Sequence, residues 1–119
     1  MTDLVDRWIR YHRDKCKPSD PLFAAWEEVD ELVRSDGDVG WKLVLQLINA
    51  APDDGVLAAV AAGPLEDLLA RMRDEQFDRV EVEARRSPKF RRCLTGVWGL
   101  APRIRERLAK YVSIVKDPL

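Results

Sequence analysis

Apolar residues along this chain recur three and four positions apart and almost nowhere alternate with polar ones. That period puts them on one face of a helix, whereas a half-buried strand would repeat every second residue. Breakers separate the periodic stretches at short intervals: Pro18 and Pro21, Gly37 and Gly40, Pro52 and Gly55, Gly63 and Pro64, Pro88, Gly99 and Pro102, Pro118. The pattern predicts an all-α fold, a compact bundle or short helical-repeat-like stack of about eight short helices. More than about 60% of the chain should be helical, against a globular average of about a third.

The first helix carries Leu4, Val5, Trp8 and Ile9 inward, with Thr2 as its cap. Ser19 or Asp20 caps the second, whose stripe is Leu22, Phe23, Trp26, Val29 and Val33. The third starts near Asp38 and is apolar on most sides, which places it centrally. Asp53 starts the fourth, which ends at Ala62; the fifth runs from Pro64 to about Arg73 and the sixth from Asp74. Ser87-Pro88 pairs an N-cap with a first-turn proline and opens the seventh, with Phe90, Leu94, Val97 and Trp98 on its apolar face. The eighth runs from Pro102 to about Lys116.

The segment Ala61-Ala62-Gly63-Pro64-Leu65-Glu66-Asp67-Leu68-Leu69 is the most specific stretch. Gly63 suits the left-handed end of one helix and Pro64 the first turn of the next. With Gly63 as N-cap, Glu66 falls at the third position, where its carboxylate can reach back to the Gly63 N–H. Gly63, Pro64 and Glu66 are therefore the expected structural motif, with Gly63→Val destabilising by about 1–3 kcal/mol. Apolar neighbours make an unpaired charge at Glu66 costly, so Arg92 or Arg71 is expected to pair with it.

Length and composition narrow the class. At 119 residues with 46% apolar content, residues 1–119 read as a single helical domain able to bury a core without staples. The N-terminus carries Asp3 and Asp6 and lacks the apolar run of a secretion signal, and no stretch approaches the roughly 20 apolar residues of a membrane span. Two distant cysteines, Cys16 and Cys93, make a thin disulfide framework, so reduced thiols and a cytoplasmic location are expected. Arginine outnumbers lysine fourteen to six, a bias that suggests a GC-rich bacterial genome.

The run AAGPLEDLL, the segment Ala84-Arg85-Arg86-Ser87-Pro88-Lys89-Phe90-Arg91, then Leu94 and Val97-Trp98, together resemble a bacterial family of small helical proteins known as a domain of unknown function. Pro21 with Ala25-Trp26, and the Trp41 helix, resemble its N-terminal half. The resemblance spans roughly residues 8 to 110. It implies Asp before Pro88, where Ser87 stands here; both cap helices well. It implies a helical fold and no activity.

Candidate chemistry is sparse. His12 and Cys16 lie four apart, but two ligands fall short of a zinc site, so no metal and no cofactor are expected. Adjacent carboxylates such as Asp53/Asp54 and Glu66/Asp67 point about 100° apart on a helix and do not converge. There is no phosphate loop, nucleophile elbow or CxxC, and one histidine cannot complete a triad of the usual kind.

Charge carries more. Residues 1–60 hold seven bases against twelve acids, and residues 61–119 thirteen bases against nine acids. Such polarity orients a partner. The expected contact surface is Trp8, on a terminal helix that covers less, with Arg85, Arg86, Lys89, Arg92, Arg103 and Arg107. The first reading is a non-catalytic protein–protein interaction module, immunity- or antitoxin-like or an accessory subunit. Nucleic-acid binding through residues 85–110 is the alternative, opposed by a pI of about 5.9. An enzyme using Glu66 in a cleft is the third.

Overall fold

Ten helical segments follow one another in the computed structural model, which describes residues 2–119. They are α1 (Thr2–Arg13), α2 (Phe23–Ser35), α3 (Gly37–Ala50), α4 (Asp54–Val60), a π-helical turn (Ala61–Leu65), α5 (Glu66–Arg71), a 3₁₀ turn (Asp74–Gln76), α6 (Phe77–Arg86), α7 (Pro88–Leu94) and α8 (Pro102–Val112). The chain is 75% helical, and no strand occurs among the described residues. The fold is all-α, as the apolar period predicts.

Local chemistry sets the helix starts. Asp36 accepts the Asp38 and Val39 N–H groups at 3.0 and 3.1 Å and so opens α3 at Gly37, one residue before the expected start. Asp53 accepts from Val56 at 2.8 Å, and Ser87 from Phe90 at 3.1 Å, with Pro88 in the first turn of α7. Asp20 accepts the Leu22 N–H at 2.8 Å and orders the turn that leads into α2. Each side-chain oxygen satisfies a backbone donor that the first helical turn leaves without a partner.

The Gly63-Pro64 junction differs from expectation. Gly63 does not take positive φ, and α4, the π turn and α5 form one uninterrupted helical run from Asp54 to Arg71. Val60, Ala61, Leu65 and Glu66 all keep right-handed helical angles. Pro64 lacks the N–H that an α-helix would use, and its ring crowds the carbonyl four residues back. Widening by one residue into a π turn absorbs both defects without ending the helix. The fourth and fifth expected helices are therefore one rod with a bulge.

The core is one cluster of buried side chains from Leu4 to Tyr111. Gly40, Trp41, Leu43, Val44, Leu47 and Ile48 are buried along α3, which packs against α1, α2, the bulged rod and α7, so the most apolar helix is the central one. Trp41 meets Phe90 of α7 edge-on at 5.8 Å. The helix α8 lies at the periphery on α6 and α7. The tail beyond it returns to the body: the Leu119 N–H donates to Thr95 Oγ1 at 2.9 Å.

Candidate functional site

Between α7 and α8 the chain leaves helical structure at Thr95 and crosses to Ala101. Three local features shape this crossing. Thr95 Oγ1 donates to the Arg92 carbonyl at 2.6 Å and closes the end of α7. Gly96 lies so close to the π turn that an added Cβ would stand 3.0 Å from the Ala61 Cβ. Gly99 has φ of +77°, a conformation that side chains disfavour.

Glu66 fixes the crossing from below. Its Oε1 accepts the Trp98 N–H at 2.8 Å, and its Oε2 lies beside Gly99. The expectation that this carboxylate anchors the Gly63-Pro64 junction therefore fails. The carboxylate serves the Trp98 crossing, not the Gly63 N–H, and the expected partner Arg92 is engaged elsewhere. Arg92 holds Asp54 at 2.8 Å and the Asp117 carbonyl at 2.7 Å. The hydrogen bond from Arg92 holds the Asp54 carboxyl below its ordinary range. The segment AAGPLE thus makes a seat, with Ala61 taking Gly96 and Glu66 taking Trp98.

This arrangement leaves the Trp98 side chain 75% exposed. The expectation that it continues the apolar face of the seventh helix fails because α7 ends at Leu94. Gly96, within the same periodic stretch, is the signal for that ending. Behind Trp98 opens a cleft of about 500 Å³. Leu94, Val97 and Leu100 form one wall, and Leu108, Ala109 and Val112 of α8 form the other. Arg105 is the one ionisable side chain of the lining; it donates to the Leu100 carbonyl at 3.1 Å.

The expected contact residues lie apart from this cleft. Trp8 is 1% exposed and packs at a tilt against His12, with ring centres 4.1 Å apart, so it offers no surface. The terminal helix is covered by α2, α3 and α4. The basic residues are tied internally. Arg85 faces Glu81, Arg86 donates to Glu83 at 2.8 Å, and Lys89 donates to the Asn49 and Ala51 carbonyls at the end of α3. Arg103 pairs with Asp74. Arg107 donates to Glu81 at 2.5 Å, lies 3.4 Å from Asp78, and with the Tyr111 hydroxyl holds the Glu81 carboxyl below its usual range. These basic residues are thus held by oxygens within α6 and between α6, α7, α8 and the body, and most of their carboxylate partners lie in the same half of the chain.

No three His, Cys, Asp or Glu side chains come together as a metal site among the described residues. His12 is half buried, and burial lowers its pKa. Cys93 is buried, and desolvation pushes its thiol up to about 12. No helix among the described residues is long and apolar enough to cross a membrane.

Fold and site together define a small all-helical protein whose most conspicuous surface feature is a tryptophan beside an apolar cleft. The chain belongs to a family of unknown function, DUF6869, whose model matches residues 13–114. That match takes in the AAGPLE seat, the Trp98 crossing and the cleft. Among curated proteins and among solved structures, none matches this chain.

Proposed function

We propose that this chain is a non-catalytic protein-interaction module whose contact site is the Trp98 cleft. One observation carries the reading: a tryptophan held three-quarters exposed by a dedicated carboxylate, at the mouth of an apolar cleft. Aromatic side chains of this kind anchor protein interfaces, because they combine large apolar area with a fixed geometry. A contiguous exposed apolar patch marks the same use. The lining supplies one ionisable group, Arg105, which supports binding over acid–base chemistry.

The immunity- or antitoxin-like role and the accessory-subunit role both fit such a module. The free thiols of Cys16 and Cys93 support the reducing cytoplasm of a bacterium as its location. Nucleic-acid binding through residues 85–110 has less support, since the pI is about 5.9 and Lys89 and Arg92 are held to the body by the Ala51 carbonyl and by Asp54. An enzymatic role for Glu66 also has less, since its carboxylate is occupied by the Trp98 N–H.

The test uses a photo-reactive residue at position 98, with exposed position 82 as control. A protein cross-linked at 98 and not at 82 is then purified and titrated against wild type and Trp98→Ala. The expected result is at least about tenfold weaker binding, or 1.4 kcal/mol, for the variant. Equal affinity, or cross-linking to nucleic acid instead of protein, overturns the reading.

A further inference from the structure

A second cavity, of about 230 Å³, lies where the end of α2, the start of α3 and residues 71–76 meet. Its floor is apolar and buried, from Val33, Leu68 and Met72. Its rim is cationic. Arg34, Arg71 and Arg73 all line it, with Ser35 and Gln76, and no Asp or Glu does.

The rim groups are arranged as donors. The Gln76 Oε1 accepts the Arg73 backbone N–H at 3.0 Å, which leaves its amide nitrogen to donate. That nitrogen lies 3.8 Å from where a Cβ on Gly37 would stand. Arg71 is exposed and has no ion pair and no side-chain hydrogen bond among the described residues, and it lines the cavity with two other arginines. The carboxylates near the rim are weak competitors. Asp30 takes only the Nε of Arg34, at 3.0 Å; Asp67 stands 4.0 Å from its Nη2; Glu75 stands 3.4 Å from Arg73 Nε. Asp36 is turned to the N–H groups of α3, and Asp74 to Arg103. Exposed ion pairs of this kind contribute little and yield readily to a better anion.

We propose that this cavity binds a phosphate group. Three arginines, from α2, the end of α5 and the segment after it, line one cavity and together can offer donors to more than the two coplanar oxygens of a carboxylate. A tetrahedral oxyanion presents terminal oxygens in several directions and can engage more than one fork at once. Its double negative charge answers a rim of three cations, where the lining itself supplies no anion. The cavity falls below the roughly 300 Å³ at which pockets enclose a whole ligand. It fits the phosphate group alone, with any organic part projecting into solvent.

The site is separate in residues from the Trp98 cleft and does not depend on it. Sequence alone hides it, because Arg34 is the one base in the acidic stretch from Asp20 to Asp38 while Arg71 and Arg73 lie far along the chain.

The test is an NMR titration of the full chain at matched ionic strength with inorganic phosphate, glycerol 3-phosphate or acetate. The two phosphates should shift the Gln76 side-chain amide and the Gly37 N–H and saturate with a Kd of about 1 mM or tighter. Acetate should not saturate. Tighter binding of the ester identifies an organic phosphate as the source, and equal or tighter binding of inorganic phosphate identifies the free anion. Arg71→Gln, at an exposed position that leaves the fold intact, should weaken phosphate about tenfold, whereas Arg85→Gln, with the same charge change elsewhere, should not. Shifts that fail to saturate, or equal weakening by both variants, would mean diffuse charge attraction and overturn the proposal.

Discussion

Glu66 accepts the backbone N–H of Trp98 at 2.8 Å across 32 positions of chain. The bond joins the end of the π turn to the crossing between α7 and α8, and it decides where the exposed indole stands. A charged acceptor makes it stronger than a neutral hydrogen bond, but partial exposure reduces its net worth. Glu66→Ala should cost about 1 kcal/mol of stability. It should also speed hydrogen exchange at the Trp98 amide. Glu66→Gln keeps an acceptor oxygen and should retain part of the protection. If the Trp98 amide exchanges equally fast in wild type and Glu66→Ala, the carboxylate does not hold the crossing.

Two glycines near this seat should respond to the same change by different amounts. Gly63 lies in a helical run, without positive φ, and apart from its chain neighbours nothing stands within 4 Å of an added Cβ; the ring of its neighbour Pro64 crowds a Cβ on a helical residue before it. Gly63→Ala should therefore change stability by less than about 1 kcal/mol, because the gain in helix propensity is opposed by that crowding. At Gly96 the added Cβ would stand 3.0 Å from the Ala61 Cβ, which has no rotamer through which to retreat. Gly96→Ala should destabilise by about 1–3 kcal/mol through overpacking. Urea midpoints of the two variants against wild type check the difference: the larger loss is expected for Gly96→Ala, and equal losses would overturn it.

Period and capping chemistry made the helices legible. Asp53 and Ser87 cap the helices they were expected to cap, and the apolar α3 is central. The Gly63-Pro64 pair misled because the residues that end a helix can also sit in a bulge within one; only the surrounding packing chooses. Trp98 misled because its spacing continues the face of Phe90 and Leu94, while Gly96 ends the helix first. The partner of Glu66 was not legible at all. A side chain bonded to a backbone N–H leaves no trace in the identity of the residue that donates, so charge matching pointed to arginines instead.

His12 gives the chain a pH-dependent stability. Its ring packs on Trp8 at 4.1 Å and edge-on to Tyr11 at 5.2 Å, its Nε2 is buried without a partner, and burial lowers its pKa from 6.5. The unfolded chain therefore takes up a proton near pH 6.5 that the folded chain refuses. Stability from the neutral ring is complete above that value. It declines as pH falls through it and levels off below the folded value. The carboxyls of Asp54 and Glu81, shifted down by arginines, lose their contribution only at more acidic pH. The urea midpoint of wild type should fall between pH 7.5 and pH 5.5, and that of His12→Gln should fall less. Parallel declines would show that the ring is not the titrating group.

The two tryptophans at opposite ends of the burial scale separate stability from binding. Trp8, 1% exposed, fills the core between α1 and its neighbours. Trp8→Ala should cost about 3–5 kcal/mol, the range for removing a large buried aromatic side chain, a large share of what a domain of this size possesses. Trp98 is 75% exposed, and its contribution to the fold runs through its backbone N–H, which alanine retains. Trp98→Ala should therefore shift the unfolding midpoint by no more than a surface substitution does, within about 0.5 kcal/mol. A residue whose side chain adds so little to folding, yet is held in place by Glu66 and Gly99, is free to serve a partner. If Trp98→Ala instead unfolded as readily as Trp8→Ala, the indole would be part of the core in solution, and the cleft it borders would be closed.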